Sequence, residues 1–169
     1  RETARKSLDS FNKYVVMAES SNRYDATTGI EGNTASGGYQ ITDDQAITAS
    51  NRILNSLARM EGMYNKDNKG AERKEYMEKG NVPQWLREVS LGEKKVLQTS
   101  PTQQQILFEG NMFEAKGSDE VITPLFSGDR SAMDTYYYNF HHTDPEGQPN
   151  TKENWRRAVE HVDSNAPLP

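Results

Sequence analysis

Apolar side chains recur every three or four residues along much of this chain, a spacing that places them on one face of an α-helix. The first such stretch covers residues 5–19, with Leu8, Phe11, Val15 and Ala18 on its apolar face. Alternating apolar and polar residues, the pattern typical of β-strands, are scarce. The pattern therefore predicts a mainly α protein of about six helices.

Start and stop signals bound the later helices. Thr42 or Asp43 can cap the second, and Pro101 follows Thr99 and Ser100 as a favoured first helical residue. The segment 66–80 is predicted to be a solvated helix or loop, and the pattern over 82–97 breaks near Gly92. The other predicted helices cover 42–65, 99–113, 131–142 and the stretch from Thr151 onward.

A glycine-rich stretch separates the first two predicted helices. It contains Gly29, Gly32, Gly37 and Gly38 among Asn, Thr and Ser residues, a composition that favours tight turns. Short β segments within 24–41 would form a hairpin. We therefore expect a small hairpin or loop wall that flanks a cleft and brings backbone amides close to a chain-like substrate.

Length and composition bound the class of protein. A chain of 169 residues with 33% hydrophobic residues suits one domain, for which we expect residues 1–164, followed by a linker or tail at 165–169. The mean hydropathy of -0.95 is low, but Trp, Tyr, Phe and Met supply a core. A net charge of -5 without a basic stripe makes nucleic acid a poor partner.

The chain has no cysteine, which excludes disulfides, thiolate zinc sites and cysteine nucleophiles. No apolar run approaches the roughly 18 residues of a membrane span, so none is expected in this fragment. No signal segment opens the chain, which begins with Arg1. This start fits an excised domain or a processed fragment.

Glu19 is the first candidate for chemistry. Cleavage of a glycosidic bond needs a carboxylic acid whose pKa is raised by burial against apolar or aromatic neighbours, so that it can protonate the leaving oxygen. Glu19 follows the apolar residues 15–18 at the end of the first predicted helix. In isolation, a glutamate at a helix end is more often a solvated surface residue.

Three motifs strengthen the prediction that Glu19 is catalytic. They are Glu19-Ser20-Ser21, the turn Gly37-Gly38-Tyr39-Gln40-Ile41, and the Tyr-Tyr-Tyr-Asn segment 136–139. In order and spacing they resemble lytic transglycosylases of the lysozyme superfamily. The turn is nearest to the Gly-Arg-Tyr-Gln form of lambda-like phage endolysins, and residues 100–104 are similar to their Ser-Pro-x-x-Gln helix start. The motifs are short and scattered. The turn lacks the Met of the Gly-Leu-Met-Gln form, and Phe140 follows Asn139 where small residues are usual.

The resemblance implies an α+β lysozyme-like fold, a peptidoglycan glycan strand as substrate, and a role for each matching residue. Glu19 would act as general acid and then as base. Gly38, Tyr39 and Gln40 would line a sugar subsite. Ser20 or Ser21 would position an acetamido group or hold the loop, and Tyr138 with Asn139 would lie near Glu19.

Two reaction outcomes stay open. A hydrolytic lysozyme needs a second carboxylate about 5–10 Å from the first, and the loop offers Glu31 and Asp43 beside Asp25 and Asp44. Goose-type lysozymes, which resemble this layout, carry an acid where this chain has Thr42. A transglycosylase needs no second acid, because the sugar's own hydroxyl closes a 1,6-anhydro ring, and the sequence favours this reaction.

No metal or cofactor is expected. His141 and His142 are adjacent, so on a helix they point about 100° apart and rarely bind one ion together. The resemblance favours a virion-associated or secreted protein that acts in the periplasm or cell wall, as part of a larger virion or cell-wall-penetrating protein. The rival outside enzymes is a non-catalytic glycan-binding or structural module.

Overall fold

A computed structural model describes residues 2–63, 67, 69–114, 119–138 and 150–165. These residues form eight α-helices and a short 3₁₀ helix at Val96–Gln98. The helices are α1 (Glu2–Ser20), α2 (Asp43–Met60), α3 (Lys69–Lys79), α4 (Gln84–Ser90), α5 (Pro101–Glu114), α6 (Asp119–Phe126), α7 (Arg130–Tyr136) and α8 (Asn150–Asn165). The prediction of a mainly α protein is confirmed.

The number of helices differs from the expected six. Helix α6 was not predicted, because it is only eight residues long and contains Pro124, a residue that normally interrupts helices. The segment 66–80, predicted to be a solvated helix or loop, contains helix α3. The predicted helix 131–142, which corresponds to α7, lies partly outside the described residues, because the segment 139–149 is not described.

The segment between α1 and α2 is a loop wall without strands. Over residues 21–42, the antiparallel pairing consists of two isolated bridges, Thr27 with Ser36 and Ser36 with Ile41. The α+β detail is therefore not confirmed for the described part of the chain. The glycines and short polar residues favour turns over an extended ladder, because few apolar side chains alternate there to cover a sheet face.

Helix α1 packs against α8 and α6, while α2 packs against α3, α4 and α5. The main core cluster lies around α1, and a smaller one contains Leu54, Ala58, Tyr76 and Leu86. Phe11, which is fully buried, has Phe108, Tyr136 and Trp155 around its ring at centroid distances of 5.6–6.2 Å. Each such aromatic pair adds about 0.5–1.5 kcal/mol beyond burial itself.

Caps fix where the helices begin. Thr42 accepts from the Gln45 backbone N–H while the Gln45 side chain accepts from the Thr42 N–H, a capping box that starts α2 as predicted. Asp129 caps α7 by accepting from the N–H groups of Ser131 and Ala132.

Candidate active site

Glu19 lies in the last turn of α1 and is partly buried. Its Oε1 accepts a hydrogen bond of 2.5 Å from the hydroxyl of Tyr137, a residue 118 positions along the chain. Tyr137 follows α7 directly and is only 2% exposed. The carboxylate at the end of α1 is therefore held by a buried hydroxyl from the tyrosine-bearing segment.

Tyr137 is fixed in place by Trp155 of α8. The two rings stack with centroids 4.2 Å apart and an interplanar angle of 16°. Trp155 is itself anchored, because its Nε1 donates to Asp134 Oδ1 at 2.6 Å. Burial, followed by the nearby charge of Glu19, raises the pKa of the Tyr137 hydroxyl far above its ordinary value. Tyr137 therefore stays protonated and remains a donor to Glu19 at every physiological pH.

Ser20 connects the end of α1 to the glycine turn. Its Oγ lies 2.9 Å from the Val16 carbonyl and 3.0 Å from the Gly38 carbonyl, and it accepts from the Arg23 N–H at 3.2 Å. A serine hydroxyl has one hydrogen, so its donation is shared between the two carbonyls. Ser20 is buried, which makes these bonds costly to lose. The residue next to Glu19 thus holds the loop wall against α1.

Gln104 of α5 holds the same turn from the other side. Its Oε1 accepts from the Gly38 N–H at 2.9 Å, and its Nε2 donates to the Tyr24 carbonyl at 3.1 Å. Gly37 has a φ of +77°, and a Cβ there would lie 2.4 Å from the Gln104 Oε1. Only glycine fits this position. The glutamine of the Ser-Pro-x-x-Gln segment therefore anchors the Gly-Gly turn, a role that the sequence analysis missed.

The three turn residues predicted to line a sugar subsite are largely enclosed. Tyr39 is 2% exposed and stacks on Phe108 with ring centroids 4.5 Å apart. Gly38 is buried beneath the ring of Tyr24. Gln40, which has a positive φ of 51°, uses its side-chain amide to donate to the Gly37 carbonyl at 2.8 Å. Their side chains and backbone mainly build the wall, and their contact with sugar stays a prediction.

Two other predicted contact residues, Tyr138 and Ser21, border different cavities. Tyr138 is partly buried, with its ring edge-on to Tyr137 at 5.9 Å, and borders a cavity of about 480 Å³ on α8. Ser21 is exposed and borders a second cavity of about 410 Å³ with Arg157 and His161. Asn139, His141 and His142 lie outside the described residues. It is Tyr137, rather than the predicted Tyr138, that bonds Glu19.

The candidate second acids have different surroundings. Asp43 accepts from the Val96 N–H at 3.1 Å, so its carboxylate links the start of α2 to the 3₁₀ helix. Glu31 is exposed in the loop wall.

Within the described ranges, no group of three or more His, Asp or Glu residues could hold a metal ion. No helix among the described residues is long and apolar enough to cross a bilayer.

No protein-family model, curated protein or solved structure matches this chain. The resemblance to lytic transglycosylases therefore rests on the short sequence motifs. The Glu-Ser pair contacts both the glycine turn and the tyrosine segment, through Ser20–Gly38 and Glu19–Tyr137. The end of α1 therefore contacts residues about twenty and about 120 positions further along the chain.

Proposed function

We propose that the chain is a peptidoglycan lytic transglycosylase that cleaves the β-1,4 bond between N-acetylmuramic acid and N-acetylglucosamine with Glu19 as its single catalytic carboxylate. The observation that supports this most is the 2.5 Å hydrogen bond from the buried Tyr137 hydroxyl to Glu19. An ordinary solvated glutamate at a helix end would not be held by a buried aromatic stack.

In the proposed reaction, the Glu19 carboxylic acid gives its proton to the glycosidic oxygen, and the bond from that oxygen to C1 of the muramic acid breaks. The resulting carboxylate then takes the proton of the C6 hydroxyl, whose oxygen bonds to C1. The product ends in a 1,6-anhydro ring, no water is consumed, and Glu19 regains its proton. The substrate's own N-acetyl group can assist at C1.

Tyr137 has a positioning role in this mechanism. Its hydroxyl donates to the Oε1 of Glu19 and so orients the carboxyl group that exchanges the proton with substrate. Donation to a carboxylate is a charge-assisted hydrogen bond, which is stronger when the carboxylate is ionised. Tyr137 therefore stabilises the state of Glu19 that forms after proton transfer, and the stacking on Trp155 keeps it there.

The loop wall supplies the side of the proposed cleft. The bond between Ser20 and the Gly38 carbonyl keeps the wall beside Glu19. Ser21, Gln40, Tyr138 and Asn139 are the residues we assign to contacts with the glycan strand. No metal or organic cofactor takes part, and the enzyme would act on the cell wall or in the periplasm, from a virion or as a secreted protein.

The hydrolytic alternative needs a second free carboxylate to act as nucleophile or to activate water. Asp43 already accepts a backbone hydrogen bond from Val96, and Glu31 points from an exposed loop. The single-carboxylate reaction is therefore the better supported proposal. Glu31→Gln should leave activity intact, whereas a large loss would favour the hydrolase.

Clearing of purified cell walls tests whether Glu19 is catalytic. Glu19→Gln keeps the side chain's size and its ability to accept from Tyr137, but it cannot give or take a proton. General acid-base catalysis is worth about 10²–10⁴-fold, so clearing should slow by that factor. Glu93→Gln, an exposed change in the turn after α4, is the matched control. Equal clearing by the parent and Glu19→Gln would reject the proposal and favour a non-catalytic module.

A further inference from the structure

A cavity of about 660 Å³ opens where α2, α3 and α4 meet. Its volume lies within the range of ordinary ligand sites. Among the described residues, neither Glu19 nor any residue of the loop wall borders it. The cavity is therefore separate from the proposed cleft, and its use does not depend on the function proposed above.

One face of α3 forms a side of this cavity. The bordering positions on this helix are 70, 73, 74, 77 and 78, which have the spacing of a single helix face. Helix α4 contributes positions 87, 90 and 91, and α2 contributes Asn51. Three helices thus surround one concave space.

The border of the cavity carries a net positive charge, although the chain as a whole is acidic. Arg73, Lys74 and Arg87 give three positive charges and Glu78 gives one negative charge, whereas the whole chain has a net charge of -5. A cleft lined mainly by one sign of charge attracts ions of the opposite sign. Glu78 is exposed, so solvent weakens its repulsion of an anion. The cavity therefore favours an anionic ligand.

Two of the three cations are not neutralised by a neighbouring carboxylate. Among the side chains that the structure describes, neither Arg73 nor Lys74 forms a salt bridge, whereas Lys79 on the same helix pairs with Glu75 at 3.3 Å. Arg73 is half-buried and Lys74 is exposed, so both side chains keep surface that a ligand can contact. Their charges are therefore available to an anion in the cavity.

Arg87 extends from α4 to α3 at the same cavity. Its Nη2 donates to the Met77 carbonyl at 2.6 Å, in the last turn of α3, where backbone carbonyls have no partner within the helix. This bond uses one of the five N–H donors of the guanidinium group. Arg73 and Lys74 lie about one helical turn before Met77. The hydrogen bond thus holds the third cation close to the other two.

This set of donors fits phosphate better than carboxylate. Two guanidinium groups from different helices and one ammonium group can donate to oxygens that point in different directions. A phosphate group presents three such oxygens, whereas a carboxylate presents two oxygens in one plane. Met77 and Leu91 add apolar surface beside the cations, which suits the organic part of a phosphate ester.

We propose that the cavity between α2, α3 and α4 binds the phosphate group of a small molecule through Arg73, Lys74 and Arg87. The ligand is either an organic phosphate ester or an inorganic phosphate, since both present the same oxygens to the three cations. Arg73 and Lys74 supply binding energy, whereas Arg87 also holds the end of α3. Arg73 and Lys74 are therefore the positions that test the site.

Calorimetric titration of the whole chain with inorganic pyrophosphate and with phenyl phosphate, at constant ionic strength, tests this proposal. Both compounds should bind to the parent chain. Arg73→Gln should weaken binding about 10- to 100-fold, the value of a hydrogen bond to a charged group. Lys74→Gln changes an exposed side chain and should weaken binding without affecting the fold. Tighter binding of phenyl phosphate would assign an organic ligand, and tighter binding of pyrophosphate an inorganic one.

Arg5→Gln is the matched control. It also removes one positive charge, but Arg5 is exposed on α1 and borders none of the cavities discussed here. This variant should bind both compounds as the parent does. Equal weakening by Arg5→Gln and Arg73→Gln, or no binding of either compound at millimolar concentration, would overturn the site. Succinate that binds as tightly as the phosphates would overturn the assignment to phosphate.

Discussion

Replacing Tyr137 with Phe removes one hydroxyl and leaves the aromatic stack in place. The ring of Tyr137 lies 4.2 Å from that of Trp155, and Phe retains this packing because the ring itself is unchanged. What is lost is the 2.5 Å donation to Glu19 Oε1. The variant therefore separates the hydrogen bond from the burial of the side chain.

The size of the effect follows from the charge on Glu19. A hydrogen bond to a charged group is worth about 1.5–3 kcal/mol, and each 1.4 kcal/mol is a factor of ten in rate. If Tyr137 stabilises the carboxylate that forms after proton transfer, Tyr137→Phe should slow wall clearing roughly 10- to 100-fold. If the free energy of unfolding falls by the same 1.5–3 kcal/mol, the melting temperature should fall by roughly 3–12 °C for a chain of this size.

Tyr14→Phe provides a matched comparison. Tyr14 lies on α1 with its ring edge-on to that of Trp155 at a centroid distance of 6.0 Å, and its hydroxyl donates to Asp163 Oδ1 at the same distance of 2.5 Å. This variant should lower the melting temperature comparably but clear cell walls at nearly the parent rate. Both quantities can be measured on one preparation, by thermal unfolding and by turbidity well below the transition. Full activity in Tyr137→Phe, with a melting temperature lowered as in Tyr14→Phe, would refute a catalytic role for the contact.

Three further outcomes are expected. Ser20→Ala removes the hydrogen bond to the Gly38 carbonyl, so it should lower the free energy of unfolding in denaturant by about 1–3 kcal/mol and reduce clearing only by the fraction of the protein that unfolds. Gly37→Ala should lower the free energy of unfolding by about 2–5 kcal/mol, because the new Cβ adds a clash to a backbone with positive φ. Gly62→Ala, at a similar φ but with open space around it, should lower the free energy of unfolding by about 1–2 kcal/mol. Equal costs would contradict the packing of Gly37 against Gln104. Burial, followed by the hydrogen bond to Asp163, raises the pKa of Tyr14 from 10.0 to about 12. Its contribution to stability is therefore intact below pH 10 and is lost as the pH rises to 12. The free energy of unfolding in urea should decline more steeply with alkaline pH in the parent than in Tyr14→Phe.

Local signals predicted most of the helices. The apolar spacing of α1 and the capping box at Thr42 act over a few residues, so the sequence contains what is needed to recognise them. Helix α6 gave no such signal, because Pro124 lies inside it. Its packing against α1 and α7 compensates for the unfavourable proline. The loop wall was expected to contain a hairpin, but turn-forming residues without apolar alternation produced only two isolated bridges among its residues.

The site was predictable only in outline. The order of motifs indicated that a tyrosine segment would lie near Glu19, but three consecutive tyrosines point in different directions and the sequence does not reveal which one faces α1. In the structure this residue is Tyr137, which stacks on Trp155 and donates to Glu19. Likewise, Gln104 looked like part of a helix start, and only the fold brings its amide to Gly38. These choices depend on tertiary packing.

Mass spectrometry of the fragments released from purified peptidoglycan tests the proposed reaction most directly. The parent chain should release muropeptides that end in 1,6-anhydro-N-acetylmuramic acid, each lighter by one water than the corresponding reducing end, and Glu19→Gln should release almost none. Fragments with reducing ends would contradict the single-carboxylate reaction, and fragments released equally by both proteins would contradict the role of Glu19.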